Sequence, residues 1–524
     1  MESVRRFASQ SNAHCMEMLS EVQPYLVEVA YFFFFLSRHM TLPLFQEYVQ
    51  SEFYKQNNLK ASAIEPFVYS GNGSSLSNVA HRESTLAILS LQIAEGLPAV
   101  ITVIILGAVS DRTSRRKILL WMPSLGGILH SLVYILILYT SYTLDGLFMA
   151  SALRGLSGSM TAFLAGSTFF AINTTQKEKR SSRLAIQESL NGLAYAIANI
   201  MVGYWVQASG FHQPFWFTLI CGCIAFLISF FLVKEVKVEI SNPNRYDTEN
   251  CCIDTFRPMG KFFRCKDRKL LIMWLAILAF QSYAWVHLGQ INTLVLYFTG
   301  SPYHWQSHKV GVFLSVAMGV ASFGVLFTPP VLRNWFSDIH ITFGGLFSKA
   351  VGTLWLAVVQ NEVVIYFAIF LLVLELIPFP MLRAVVANNI ETADQGSLFA
   401  LMHCGEGITY FLAPFMFQSL YADSIDYFTG FVFVLSVILL VIPVGFVIAI
   451  KFLSTGQSGE YERMEGETEM TTGEELPLPT NHEDKNISVI PVTSSENTEL
   501  KTTAQPNVTR SRSSKEEATE PVDV

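Results

Sequence analysis

Charge is what this chain has least of. Lys, Arg, Asp and Glu supply 15% of its 524 residues, whereas a soluble domain carries about a quarter. The deficit is concentrated in stretches such as 118–140 and 427–450, which contain no charged residue. A soluble core does not need so many apolar runs, but each bilayer crossing needs about 20 apolar residues. No water is available there to satisfy the backbone, so every run must be helical. A basic domain is also missing, which argues against nucleic acid as a partner. No paired metal ligands, nucleophile elbow or phosphate loop occur, so neither an enzyme nor a cofactor or metal is expected. No pore-loop signature points to a channel. The seven cysteines are Cys15, Cys221, Cys223, Cys251, Cys252, Cys265 and Cys404. None falls in a segment placed outside, so no disulfide is expected. Palmitoylation and zinc binding stay open as roles for Cys251, Cys252 and Cys265. No cleavable signal peptide is evident: the first twenty residues are polar, and the first apolar run is too long for one.

What is present is a series of apolar segments near 22–42, 84–109, 118–140, 145–172, 184–208 and 214–234, then 270–298, 310–333, 341–359, 362–390, 396–421 and 427–453. The expected division is a cytosolic N-terminus 1–21, a six-helix bundle 22–234 with an outside loop 43–83, a central cytosolic loop 235–269, a second bundle 270–453 and a tail 454–524. Lys and Arg in short loops set the orientation. They gather after the second span (Arg112, Arg115, Arg116, Lys117), after the fourth (Lys177, Lys179, Arg180, Arg183) and in the central loop. Connectors around 141–145, 209–213 and 422–426 have none. Both termini are therefore expected in the cytosol. Asn72-Gly73-Ser74 is then a glycosylation sequon on the outside, while those at Asn173, Asn486 and Asn507 stay bare. The tail holds much of the acid behind the net charge of −7 and reads as disordered. Tyr461-Glu-Arg-Met464 fits a tyrosine-based sorting signal, for which adaptors would be the partners.

The stretch Gly107-Ala-Val-Ser-Asp111-Arg112-Thr-Ser-Arg115-Arg116-Lys117 follows the second span. It resembles the signature between helices two and three of the major facilitator superfamily. The resemblance implies an all-α membrane protein of the major facilitator fold, with about twelve helices in two six-helix bundles and a solute site between them. It also implies that Gly107 allows close helix contact. Asp111, Arg112, Arg115 and Arg116 would form the charge latch between bundles. Ser114 stands where that signature usually has Gly, so a different turn is expected.

Longer stretches are similar to solute carrier family 46, the family of the proton-coupled folate transporter. They are Gln187-Glu188-Ser-Leu-Asn-Gly-Leu, Gly210-Phe-His-Gln-Pro214-Phe-Trp216, Leu294-Val-Leu-Tyr297 through Ser301-Pro-Tyr-His-Trp305, and Ile377-Pro-Phe-Pro-Met-Leu-Arg383 with Asp394-Gln395-Gly396-Ser-Leu-Phe399. The resemblance assigns Asp111 and Arg115 the latch roles, Glu188 and His287 proton coupling, and Arg154 and Arg383 a place near the solute. Glu406 looks more like the lysosomal relative. The disulfide usual in that family is lost here: the first loop has no Cys, and His304 stands where the partner is expected.

Charges inside hydrocarbon are costly unless they face a cavity or a partner. At about 1.5 Å per residue, Glu95, Arg154, Glu375 and Glu406 fall near mid-membrane, His287 nearer the outside, and Glu188 and Arg383 toward the cytosol. Each has a plain reading beside a functional one. Glu188 can serve its helix's dipole or an ion pair, Arg383 can snorkel, and His287 can be a neutral hydrogen-bonded core residue. Arg154 needs a carboxylate, carbonyls or an anionic solute. Glu95 precedes Gly96-Leu97-Pro98, expected to distort its span. His403 and Glu406 share a helix face and can pass a proton or simply bond each other. The run Tyr31-Phe32-Phe33-Phe34-Phe35 is read as lipid-facing or packing.

Carboxylates and imidazoles can exchange protons with an acidified compartment, whereas arginine keeps its proton and suits an anion. The expected function is a proton-coupled symporter of a small organic anion, folate-like or another anionic metabolite. Proton coupling is assigned to Glu188, His287, His403 and Glu406, and solute binding to Arg154, Arg383, Glu95 and Glu375. The alternatives are a non-transporting receptor or scaffold, and an endolysosomal exporter of conjugated metabolites. A monomer or weak homo-oligomer in the plasma or endolysosomal membrane is expected.

Overall fold

The computed structural model describes residues 25–49, 51–53, 55, 73–140, 144–236, 267–300, 303–390, 395–424 and 427–454. Asn72, Tyr461 and Met464 lie outside them, as do Cys15, Cys251, Cys252 and Cys265. Among the described residues there is no strand. The helices are α1 (25–49), α2 (Gly73–Thr113), α3 (Ile118–Thr140), α4 (Leu144–Leu156), α5 (Ser159–Asn173), α6 (Arg180–Ser209) and α7 (His212–Leu227), which ends in a π turn. After the central segment come α8 (Arg268–Thr299), α9 (Ser307–Leu332), α10 (Asp338–Val358), α11 (Ala368–Leu371, entered through a 3-10 turn), α12 (Pro378–Asn388), α13 (Gln395–Ser424) and α14 (Phe431–Leu439), with helix resuming over 441–454.

Eight helical passages among the described residues are long and apolar enough to cross a membrane. α1, α6 and α13 are not among the eight, and they carry His39, Glu188 and Glu406 into the molecule's interior. With α1, α6, α13 and the passage through α11 and α12 added, the described residues make twelve passages, six in each bundle, as a major facilitator fold requires. In the first bundle α3 packs on α4, α5 and α7, and α2 on α4. In the second α8 packs on α12 and α13, and α10 on α12 and α14. The bundles meet chiefly where α2 runs along α13 and α6 along α9. Water-driven burial does not hold helices together in lipid, so close packing must. Small residues serve it: a Cβ at Gly107 would overlap that of Ala400, and one at Gly324 would overlap the carbonyl of Val373.

Three local features sharpen the sequence reading. Pro98 does not break α2, which is one helix from Gly73 to Thr113. The break falls in the fourth passage, between α4 and α5. Gly158 there has φ +89° and Ser159 φ +45°, a left-handed pair that only a Gly enters at no steric cost. The tenth passage is also discontinuous. Residues 372–377 form turns, and their surroundings satisfy the freed backbone: the Ser348 hydroxyl donates to the Leu371 carbonyl at 2.5 Å, and the Tyr283 hydroxyl donates to that of Glu375. Finally, the aromatic run is packing rather than lipid surface at its core. Tyr31, Phe34 and Phe35 are buried, and Phe34 stacks on Phe163 with centroids 3.9 Å apart. Among the described cysteines, Cys221, Cys223 and Cys404 are free thiols.

Candidate functional site

The motif after α2 closes one end of the molecule. Ser114 has φ +54°, so the turn keeps the left-handed conformation a Gly would favour despite the substitution. That turn brings Arg116 back onto Asp111, and its guanidinium lies 4.5 Å from the Phe169 ring centroid. The other oxygen of Asp111 accepts the Ser397 backbone N–H at 2.5 Å and also the Ser397 hydroxyl. A carboxylate from the first bundle thus caps the N-terminus of α13 in the second, where orphan N–H groups favour negative charge. Gly396 lies so close to the Asp111–Arg116 pair that a Cβ would collide with both. Arg115, expected to share the latch with Asp111, is exposed, and Arg116 is the residue that pairs with Asp111. Arg112 is half-buried. Two further ties cross here: Asn173 donates to Gln395 at 2.9 Å, and Arg180 to Asn388 at 3.1 Å.

Glu235, just past the π turn of α7, holds the latch turn from the side. It accepts the backbone N–H of Arg116 at 2.8 Å and of Lys117 at 3.2 Å. Burial pushes its carboxyl above the usual range, and those two N–H groups oppose that push. On α1 and α6, Arg183 makes a two-pronged bond to Glu28 at 2.6 and 2.9 Å.

Toward the opposite end the bundles part around a cavity of about 390 Å³. Its rim includes Glu47 on α1, Tyr204 on α6 and His308 on α9, all exposed. Its depth is lined by Glu188 on α6, His287 on α8, Phe379 on α12, and Glu406 and Tyr410 on α13. No Lys or Arg lines it among the described residues. His39 also faces the cavity and bonds Asn191 at 2.8 Å.

Behind this wall the intramembrane charges fall into three buried groups. In the first, Arg383 donates to Glu188 at 2.8 Å and lies 3.7 Å from Glu406. Glu406 is bonded to His403 at 2.7 Å, and His403 reaches Thr168 at 3.3 Å. Glu188 and Thr168 belong to the first bundle; Arg383, His403 and Glu406 belong to the second. This network therefore bridges them. In the second, Lys349 donates to Glu375 at 2.7 Å, and His287 lies 3.8 Å from the same carboxylate. In the third, Arg38 and Arg154 share Glu95, with N···O distances of 3.2 and 3.6 Å, and Ser159 donates to Glu95 at 2.5 Å.

Glu188, His287 and Glu406 thus reach the cavity wall, while His403 stands one bond behind. Arg154, Arg383, Glu95 and Glu375, read from sequence as solute contacts, do not line it. Each is held by a partner, because an unpaired charge at this depth is too costly to persist. Arg154 has found a carboxylate rather than a cavity. Sequence reasoning missed Arg38, His39 and Lys349. Arg38 and His39 are neighbours inside one apolar run and Lys349 lies inside another, and that signal was available.

The sequence profile described as Major Facilitator Superfamily matches residues 27–414. The chain is 25% identical over 449 residues to the lysosomal proton-coupled steroid conjugate and bile acid symporter SLC46A3 of Gallus gallus, covering 83% of this chain and 95% of that one. It is 27% identical over 341 residues to the proton-coupled folate transporter of Rattus norvegicus, covering 65% and 73%. Both are solute carrier family 46 proteins, as the sequence motifs indicated. Among solved structures, the human organic anion transporter MFSD10 (TETRAN) superposes with TM-score 0.62 at 16% identity, over 80% of this chain and 99% of that one. The E. coli fucose:proton symporter FucP (N162A) gives 0.57 at 12%, over 82% and 98%. These structural likenesses speak to the fold alone. A profile spanning most of the chain, a latch between two helical bundles and a central cavity agree: this chain is a membrane transporter, not an enzyme, and belongs to the Major Facilitator Superfamily.

Proposed function

We propose that the chain is a proton-coupled symporter of a small organic anion that works by alternating access. The observation that carries this reading is the bridge Glu188–Arg383–Glu406 at the cavity floor. Its two carboxylates belong to different bundles and converge on one guanidinium. Protonating Glu188 removes its charge from that tie, which loosens the bundles and frees donors on Arg383 for an anionic solute. Protons and solute then favour the same rearrangement. His287 and His39 on the wall add positive charge when protonated. The named activities of the two relatives, both proton-coupled symporters, support the same reading.

The wall mixes polar groups with Leu42, Ile291, Val295, Leu376 and Phe379. That mixture suits an amphipathic anion with a sizeable apolar body, and such pockets run to about 300–1,000 Å³. With Lys and Arg loops in the cytosol, the latch end faces the cytosol and the cavity faces outside or an organelle lumen. A lumen-facing cavity would make the carrier an exporter of conjugated metabolites from an endolysosome.

The test is uptake of radiolabelled organic anions, folates and steroid conjugates among them, at about pH 5.5 and about pH 7.4. Cells express the wild type or Glu188→Gln at matched levels in the membrane assayed. Uptake that rises in acid and loses that rise in the variant is expected. Saturable uptake indifferent to both pH and the variant would refute proton coupling. Silence for every anion, in both plasma membrane and isolated lysosomes, would favour a receptor.

A further inference from the structure

The third charge group does not balance. Arg38 and Arg154 are both buried, and both lean on the single carboxylate of Glu95. His130, also buried, stacks on Tyr134 with centroids 4.6 Å apart and contributes no negative charge. Two guanidinium groups and one carboxylate leave a surplus of one positive charge among buried side chains. Arg154 spends part of its charge on the Glu95 oxygen that also takes the Ser159 hydroxyl. The Nε of Arg38 is buried and has no hydrogen-bond acceptor. A buried, unsatisfied charged donor costs more than a neutral one.

Beside these groups lies a small pocket of about 40 Å³, lined by Arg38, Glu95, Ser159 and Tyr410, among others. A single water needs only about 10–15 Å³ of such space, so the pocket has room for a small ion. Consecutive residues of α1 face different compartments here: His39 lines the central cavity and Arg38 lines this pocket. Tyr410 is common to both walls, and its ring lies 5.7 Å from the Arg38 guanidinium carbon. Gly407 and Tyr410 come from the second bundle, Arg38, Glu95 and Ser159 from the first.

We infer that this pocket is a binding site for one small inorganic anion of halide size, chloride in the cell, held by Arg38 at the edge of the Arg38–Glu95–Arg154 group. The anion supplies the missing negative charge and accepts from the unpaired face of Arg38. Because it sits where α2 meets α13, it stabilises the bundle arrangement seen here. The site is separate from the proton bridge at Glu188, and its test needs no transported solute.

The test is thermal unfolding of the purified full-length protein in detergent, at constant ionic strength. Chloride or bromide is titrated against gluconate, which is too large for the pocket, with acetate as a parallel arm. A saturable rise in Tm on the order of 2–4 °C with either halide is expected at tenfold saturation. Arg38→Gln should abolish the rise. Glu95→Gln raises the surplus charge, so its half-saturating halide concentration should fall by at least tenfold. The two variants move in opposite directions, so the loss of either one to misfolding leaves the other decisive. A wild-type Tm indifferent to halide, or one unchanged in its halide response by Arg38→Gln, would overturn the inference: the pocket would then hold water. Protection by acetate without protection by halide would also overturn it, because the pocket would then take the carboxylate end of a larger molecule.

Discussion

At the scale of single residues, the chain holds its few membrane charges in small ion-paired groups, and the consequences of breaking a pair can be stated. Lys349 and Glu375 are both buried at 2.7 Å. Lys349→Met strands the carboxylate and should cost about 3–5 kcal/mol. Adding Glu375→Leu should recover most of that loss, as measured by thermal unfolding of the purified proteins. No recovery in the double variant would mean that the pair does more than satisfy itself, for instance by orienting His287. Ser114 offers a test of opposite sign. Its left-handed φ of +54° is unfavourable for a side chain, so Ser114→Gly should raise stability by roughly 1 kcal/mol. An unchanged or lowered Tm would show that the turn is not strained. The charges themselves were legible in the sequence, since a Glu or Arg inside an apolar run is conspicuous. Their partners were not. Arg38 meets Glu95 across 57 positions, and Arg383 meets Glu188 across 195. Only the folded bundle fixes such pairs, and hence whether a charge faces the cavity or hides behind its wall.

At the scale of helices, hydropathy indicated where the passages lie but not where they break. The span α4–α5 carries no proline, and its interruption rests on Gly158. Pro98, the stronger sequence signal, sits inside an unbroken α2. A proline costs its helix one hydrogen bond, which neighbouring helices can absorb in a membrane. The faces of the helices were equally hard to read: runs apolar all round have no polar side to mark the exterior. The latch motif was legible because its residues are contiguous, yet Arg116 rather than Arg115 meets Asp111. The ties between helices at this end make a prediction. Asn173 and Gln395 lie on α5 and α13 with side chains 2.9 Å apart. Cysteines at both positions should cross-link under mild oxidation and hold the latch closed. Flux should then stop while solute still binds from the cavity side, and reductant should restore flux. Full flux with the cross-link intact would show that this end need not open. Separately, Gly396→Val should force the latch apart, since a side chain there collides with Asp111 and Arg116. The protein should then lose the closed latch end, read as increased labelling of a cysteine placed at Ser397.

At the scale of the whole molecule, two bundles are closed at one end by Asp111, Asn173 and Arg180 and separated at the other by the cavity. The charged bridge Glu188–Arg383–Glu406 lies between these regions and joins the bundles. The central claim is that protonating this bridge and filling the cavity promote the same change of shape. Its most direct test is proton flux driven by solute alone. The purified protein is placed in liposomes with a pH dye inside, at equal pH across the membrane, and an organic anion that the uptake panel identifies is added outside. The account predicts that solute entry acidifies the interior, and that Glu188→Gln carries solute without the proton signal. Solute entry by the wild type with no acidification would contradict it, leaving the buried bridge as a structural joint between the bundles.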